Sequence, residues 1–180
     1  MKHQALRFLL LIIVGLLLTP NLSAQVQSGS KNLPNLFKLN DRVYRGGQPK
    51  EAGFAELKAM VVATVIDLRS DDQNALKEKA LVERAGMKFI NRPLGNWRRP
   101  DVDEINAILK EIDAATSPVF IHCKRGKDRT GTVIAVYRMT YDSKTSKEAL
   151  DEAKSFGIGW WQLGMRDFIN DYYRDHVLKK

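Results

Sequence analysis

The segment PVFIHCKRGKDRTGTVIAVYR, residues 118–138, decides how this chain folds. Its first four residues are apolar and predict a strand over Pro118–Ile121. Apolar residues then recur at helical spacing, which predicts a helix from about Thr130 to Thr140. Residues 122–131, where the strand passes into the helix, carry the chain's only cysteine, two glycines and four cationic side chains. A core strand has no need of four positive charges at its end, whereas a site for a dianion does.

The sequence on either side predicts strands alternating with helices. A small hairpin is expected around Asn40–Asp41, a strand buried on both faces over Val61–Ile66, and a short strand over Met87–Ile90. Helices are expected over about Pro49–Met60, Ser70–Ala85, Asp101–Ile112, Thr145–Phe156 and Trp160–Val177. We therefore predict a single α/β domain in which helices flank a central, mostly parallel sheet. The loop that begins after Ile121, where we expect a dianion to bind, would join a central strand to a helix.

The first 33 residues are expected to lie outside this domain. Two cations precede the apolar run Phe8–Leu18, which is short for a membrane span of about 20 residues. Small and polar residues follow up to Ala24. This pattern predicts a signal peptide over residues 1–24, or an uncleaved N-terminal anchor, then a linker over 25–33 and the domain over 34–180. We expect an exported protein, periplasmic or secreted, or one held at the membrane by that anchor.

Composition narrows the classes of partner. The chain has 180 residues and a net charge of +8, which favours anionic partners: nucleic acid, a membrane surface or phosphorylated molecules. No module of interleaved aromatic and basic residues supports nucleic-acid binding, so we expect none. Association with a membrane surface stays open. One cysteine excludes an intrachain disulfide, and we expect a monomer.

The loop after Ile121 has the features of a phosphate cradle. It lies at the carboxyl end of a strand and the N-terminus of a helix, where free N–H groups and the helix dipole favour anions. A Walker loop would need glycine at position 121 and serine or threonine at 128, where the chain has Ile121 and Asp128. A structural metal site would need a second Cys/His pair, so we expect neither metal nor cofactor. The remaining pattern, Cys123-x5-Arg129-Thr130, combines a nucleophile, a planar cationic fork and a hydroxyl.

The stretch VFIHCKRGKDRTG, residues 119–131, resembles the signature of the cysteine-dependent protein tyrosine and dual-specificity phosphatases. YRGGQP at 44–49 and VIDLR at 65–69 are similar to the atypical dual-specificity branch of bacteria, plants and fungi. The similarity covers most of the chain from about residue 33. It implies that Cys123 attacks phosphorus, that a phosphocysteine forms, and that water hydrolyses it without a metal.

The resemblance leaves the general acid open. Many relatives place an aspartate on a separate loop before the cysteine, but the corresponding stretch Asn91–Pro93 has no carboxylate. Some relatives with Lys-Asp-Arg in the loop are thought to use that aspartate, so we favour Asp128. Asp101 is the alternative, although it also fits a helix N-cap.

The resemblance assigns two sets of candidate residues. The catalytic candidates are Cys123, Arg129, Asp128, Thr130 and His122. The substrate-binding candidates are Lys124, Arg125, Gly126, Lys127 and Arg69. The added cations favour an inositol phosphate or phosphoinositide, and a protein phosphorylated on tyrosine, serine or threonine is the other substrate class. Arg69 and Arg45 have a structural alternative, in which they pair with carboxylates, and Trp97 is expected to be partly buried.

Two other functions remain open. The chain would be a silent phospho-ligand-binding module of the same fold if it lacked a general acid. A rhodanese-type sulfurtransferase also uses a cysteine loop, but that loop is usually one residue shorter and lacks the preceding histidine.

Overall fold

The structure is a computed structural model and describes residues 30–179. Five strands form one sheet in the order β1-β2-β5-β3-β4. The strands are β1 Phe37–Lys38, β2 Val43–Gly47, β3 Thr64–Asp67, β4 Lys88–Asn91 and β5 Val119–Cys123. All neighbours pair in parallel except β1, which forms the expected hairpin with β2. The predicted α/β fold with a mostly parallel sheet is confirmed. The signal peptide expected over 1–24 lies outside the described residues.

Six α-helices connect and follow the strands. They are α1 Glu51–Ala59, α2 Gln73–Arg84, α3 Val102–Ala114, α4 Asp128–Tyr141, α5 Ser146–Ser155 and α6 Leu163–Tyr172, which continues as a π-helical turn over Tyr173–Val177. Asp72 caps α2, and Asp101 and Thr145 begin α3 and α5 in capping boxes with the glutamates at N3. No helix within residues 30–179 has the length and apolar content needed to cross a membrane.

The predicted β3 and the predicted last helix both begin too early along the chain. β3 begins at Thr64, because Val61 has a φ of 57° and lies in the turn that ends α1, with 70% of its surface exposed. The last helix begins at Leu163 rather than Trp160, because residues 157–162 form a loop whose Gly159 N–H binds Asp128 at the start of α4. Leu33, the last residue of the expected linker, is fully buried in the core.

Two apolar clusters cover the two faces of the sheet. Val65 and Phe120 point to the face covered by α1 and α2. Ile66 and Ile121 point to the opposite face, which packs against α3, α4, α5 and α6. Because side chains alternate along a strand, the continuous apolar runs of β3 and β5 supply both clusters at once.

The strand register brings three strand ends together at one edge of the sheet. Gly47 of β2 lies beside Cys123, and Asp67 of β3 lies beside His122. The loop after β5 therefore begins between the ends of its two neighbours, at the carboxyl edge where open α/β sheets bind ligands.

Candidate active site

Residues 124–127 form a loop between β5 and α4 whose carbonyl groups are bound from outside. Gly126 O accepts hydrogen bonds from Arg45 Nη2 at 2.8 Å and Asn35 Nδ2 at 3.0 Å. Lys124 O accepts one from the Gln48 N–H at 3.3 Å. Because the C=O and N–H of a trans peptide point in opposite directions, these contacts turn the N–H groups of the following residues inward. The loop is therefore lined by donors.

The loop can take this shape only because its backbone lies directly against the backbone of β2. Gly126 has a φ of +68°, and a Cβ on it would lie 2.4 Å from the carbonyl carbon of Gly46. A side chain at 126 would thus be strained and would collide with β2. A Cβ on Gly46 would in turn lie 2.7 Å from the Phe120 ring. Gly126 therefore sets how closely the loop approaches β2, and Gly46 leaves room for the Phe120 ring.

Cys123 lies at the floor of the loop and is 3% exposed. Burial alone would raise the pKa of its thiol. Hydrogen bonds from the Thr130 hydroxyl and backbone, the charge of Arg129 and the Arg125 N–H outweigh burial and lower the pKa. No oxygen or nitrogen among residues 30–179 competes for the Thr130 hydroxyl, which is therefore free to turn toward the sulfur. Cys123 therefore favours the thiolate, which is the nucleophilic form.

A cavity of about 320 Å³ opens above the sulfur and is lined by Asn96, Cys123, Lys124, Arg125, Asp128 and Arg129. Arg129 Nη1 donates to Leu68 O at 3.3 Å, while its buried Nε has no partner in the described chain. Donors that find no protein partner are costly to bury unless a ligand accepts from them. The guanidinium is placed to grip two oxygens of a bound anion.

A carboxylate lies in the wall of this cavity. Asp128 begins α4 and is 6% exposed, and its Oδ1 accepts the Gly159 N–H at 2.8 Å. The side chain is thereby held on the cavity side of the loop. Asp101 is not among the cavity-lining residues. Its side chain is 76% exposed and pairs with Arg98 at 3.3 Å, as expected of a helix cap.

A buried network of four charged or titratable side chains supports the loop from behind. Arg69 donates to both oxygens of Asp67 and to Glu78 Oε2 at 2.5 Å. His122 Nε2 lies 2.7 Å from Glu78 Oε1. Burial opposes a charge on His122, but the Glu78 and Asp67 carboxylates outweigh burial and raise its pKa. The imidazole is thus held as the partner of Glu78, one residue before Cys123.

The same network contains three side chains that are close enough together to ligate a metal. Ligand atoms of Asp67, Glu78 and His122 lie within 4.8 Å of one another. The Arg69 guanidinium already binds both carboxylates. A cation therefore neutralises these acids within the described chain, and we assign the cluster a structural role.

Arg45 is completely buried under the loop. Its guanidinium carbon lies 3.9 Å from the centroid of the Phe156 ring, and burial lowers its pKa to about 10. With its bond to Gly126 O, Arg45 has a positioning role and is not a ligand of the cavity. The alternative expected for it, a pair with a carboxylate, is wrong within the described residues, since it bonds a carbonyl instead.

Comparison with known proteins identifies the family of this chain. A family model described as "DSP-PTPase phosphatase fused to NAD+ Kinase" matches residues 16–169. The chain belongs to this family of dual-specificity-type phosphatases. It is 30% identical to the dual specificity protein phosphatase TpbA of Pseudomonas aeruginosa over 127 residues, which are 69% of this chain and 56% of TpbA. It is 27% identical to the inositol diphosphatase DSP5 of Arabidopsis thaliana, over 77% of this chain and 70% of that protein.

Solved structures agree with the fold of this phosphatase family. A crystal structure of P. aeruginosa TpbA superimposes with a TM-score of 0.68 at 27% identity, covering 77% of this chain and 84% of that one. The catalytic domain of Siw14 from S. cerevisiae superimposes with a TM-score of 0.67 at 20% identity, covering 81% and 90%. The latter likeness concerns the fold alone.

The structure brings together most of the residues singled out from the sequence. Cys123, Lys124, Arg125, Asp128 and Arg129 line the cavity. Thr130 and His122 contact the nucleophile from behind, and Gly126 forms the turn. Lys127 is not a lining residue, since its side chain lies over Gly157, and Arg69 reaches a neighbouring cavity. Trp97 is 70% exposed, so its expected partial burial is wrong.

Sequence reasoning missed three residues of the site. Glu78 is buried behind the loop, and its signal was present, since it occupies the apolar stripe of α2 between Ala75 and Val82. Asn96 and Gly159 gave no signal, because they reach the cavity from distant loops.

Thr130→Val should raise the pKa of the Cys123 thiol, because valine keeps the volume of threonine but removes the hydroxyl that stabilises the thiolate. The pH profile of iodoacetamide alkylation measures this directly, since the chain has one cysteine. We expect the midpoint to move to higher pH and alkylation at neutral pH to slow several-fold. Thr140→Val, in the same helix, serves as the control. An unchanged midpoint would show that the hydroxyl does not serve the sulfur.

Glu78→Gln should lower the pKa of His122, because it removes the carboxylate that outweighs burial. A raised pKa in the folded state stabilises the fold below the unfolded pKa of about 6.5, and that contribution is lost as pH rises through the folded pKa. The free energy of unfolding of the variant should therefore be lower than that of the wild type by roughly 1–3 kcal/mol at mildly acidic pH, and by less at alkaline pH. Histidine NMR titration and urea unfolding check both, with the exposed Glu83→Gln as control. If His122 has the same pKa in Glu78→Gln as in the wild type, the pairing of His122 with Glu78 is contradicted.

Proposed function

We propose that this chain is a metal-independent phosphomonoesterase that acts through a phosphocysteine intermediate. The observation that carries the proposal is the lowered pKa of Cys123 at the floor of a cavity rimmed by loop N–H groups and Arg129. A thiolate facing donors that lack protein partners is suited to attack the phosphorus of a bound dianion.

In the first step the Cys123 sulfur forms a bond to phosphorus while the bond from phosphorus to the leaving alcohol breaks. Arg129 and the loop N–H groups bind the three equatorial oxygens, on which the charge is spread. In the second step a water oxygen attacks phosphorus, the S–P bond breaks, and the thiolate is restored. Thr130 stabilises the thiolate before it attacks in the first step and as it leaves in the second. The positive groups replace a metal as the source of charge stabilisation.

Asp128 supplies the proton in this proposal. The Gly159 N–H holds one carboxyl oxygen, which leaves the other to carry a proton to the alcohol oxygen as it departs. The resulting carboxylate can then take a proton from the attacking water. Asp101 is a poor candidate, because it is exposed and committed to the start of α3. A catalytic acid in the cavity wall also disfavours the silent binding module.

The substrate is proposed to be a phosphorylated protein or an inositol phosphate. Relatives of both kinds exist: one TpbA structure is a complex with pTyr, and DSP5 is named an inositol diphosphatase. A second cavity of about 390 Å³ shares Lys124 and Arg129 with the first and is also lined by Gln48, Arg69, Ser70, Asp72 and Asn74. Cations outnumber the single carboxylate in this lining, which favours the polyanionic inositol phosphates. We also propose that the protein is exported, as the pattern of its first 24 residues suggests.

Cys123→Ser should reduce phosphate release by about three orders of magnitude, because serine is a far weaker nucleophile at neutral pH. The assay uses the purified chain with EDTA and reductant on p-nitrophenyl phosphate, a phosphotyrosine peptide and a panel of inositol phosphates. Lys147→Ser, at a side chain of α5 that is 86% exposed, is the control. Equal activity in Cys123→Ser would refute the mechanism. Inactivity of the wild type on every substrate, with phosphate analogues still bound, would indicate the silent module.

Asp128→Asn should slow the hydrolysis of alkyl phosphates by about 10²-fold or more and should slow p-nitrophenyl phosphate much less. The reason is that nitrophenolate leaves without a proton, whereas an alkoxide does not. Asp101→Asn is the matched control and should keep both rates, with at most a small loss of helix stability. The assignment fails if Asp101→Asn shows the leaving-group dependence and Asp128→Asn does not.

A further inference from the structure

Four large apolar side chains are exposed in the segments beside the catalytic cavity. Trp97, Trp160, Trp161 and Leu163 are 70%, 76%, 46% and 63% exposed, and we call them the aromatic rim. They include all three tryptophans of the chain. Single exposed apolar residues are common on proteins, but a group of them marks an interaction site.

Two short segments carry the aromatic rim, and both are fixed to residues of the cavity. Trp97 directly follows Asn96, which lines the cavity. On the other segment, Gly159 donates its N–H to the cavity residue Asp128. Gln162 Nε2 donates to Asn96 O at 3.0 Å and joins the two segments. The aromatic rim therefore lies at the mouth of the cavity.

The fold does not account for these exposed side chains. Helix α6 packs on the core through Met165, Phe168 and Ile169, while Leu163 at its first turn stays exposed. The Trp160 and Trp161 rings contact each other edge to face, with centroids 5.7 Å apart. Their remaining surface faces solvent, so the core does not depend on it.

Exposed cations of the phosphate-binding loop adjoin the same mouth. Lys124, Arg125 and Lys127 are exposed, and Lys124 and Arg125 line the cavity. Within residues 30–179 no carboxylate lies in ion-pair range of Lys124 or Lys127, and Arg125 reaches Asp128 only at 3.9 Å. This charge attracts an anionic surface in a salt-dependent way. It would repel the same loop of a second copy of the chain.

Tryptophan favours the boundary between the headgroups and the acyl chains of a bilayer, because its ring is apolar and its N–H is polar. Cations beside it favour anionic headgroups. We propose that the aromatic rim and the loop cations dock this protein on an anionic bilayer, with the cavity facing a lipid that carries a phosphomonoester headgroup. This inference rests on the proposed phosphatase function and names the physical form of its substrate.

The intrinsic fluorescence of the full chain tests the docking, because all three tryptophans belong to the aromatic rim. Phosphatidylcholine vesicles containing phosphatidylserine should shift the emission to shorter wavelength, and brominated acyl chains in those vesicles should quench it. Vesicles of phosphatidylcholine alone, or high salt, should weaken both effects. Sedimentation with the vesicles and no change in fluorescence would overturn the proposal, because the chain would then bind through another segment.

The triple variant Trp97→Ser, Trp160→Ser, Leu163→Ser tests the link to catalysis. We expect hydrolysis of phosphatidylinositol phosphate in vesicles to fall at least about tenfold, while p-nitrophenyl phosphate is hydrolysed at the wild-type rate. The matched control is Val61→Ser, Tyr141→Ser, Leu178→Ser, three apolar residues exposed outside the rim, and it should retain both rates.

Equal loss on vesicles in both triple variants would overturn the proposal. So would a rim variant that loses activity only toward a soluble phosphoprotein, since the rim would then bind a protein partner. A wild type that is inactive on p-nitrophenyl phosphate but still shows the fluorescence shift would refute the phosphatase function and leave the docking intact. The two failures can therefore be told apart.

Discussion

The site depends on the close approach of Gly126 to the end of β2. That contact is possible only without a side chain at Gly126, and it holds the loop so that its carbonyls meet Arg45, Asn35 and the N–H of Gln48, just after β2. With the carbonyls bound outside, the N–H groups turn toward the sulfur of the nucleophile. The short hairpin at the sheet edge therefore does more than extend the sheet, because it supplies the surface against which the loop is shaped.

Charge is distributed unequally around this loop. Behind it, the carboxylates of Asp67 and Glu78 face the guanidinium of Arg69 and the imidazole of His122, so the buried groups pair with one another. In front of it, the cations Lys124, Arg125 and Arg129 outnumber the acidic groups Cys123 and Asp128 around the cavity. A dianion entering the cavity thus meets a positive potential that the protein has not already cancelled. Because the buried ionisable groups behind the loop pair with one another, they fix the loop geometry without competing for the ligand.

Local signals in the sequence predicted much of the fold and the site. The cap at Asp101 and the spacing from Cys123 to Arg129 depend on near neighbours, and sequence patterns report such features directly. Pairings between residues that are distant in the sequence could not be predicted from such local patterns. Glu78 reaches His122 from another element, and the approach of Gly159 to Asp128 delays the start of α6. Trp160 and Trp161 look like helix packing in sequence, but they lie in that loop and stay exposed.

The solitary cysteine has a consequence for how long such a protein keeps working outside a reducing cell. A thiolate is the form that peroxide attacks, and the first product is a sulfenic acid. Many redox-tolerant enzymes then form a disulfide with a neighbouring thiol, which protects the sulfur from further, irreversible oxidation. This chain has no second cysteine, so rescue of Cys123 by a thiol must come from another molecule. Its working lifetime would be set by the reductants around it as much as by its own stability.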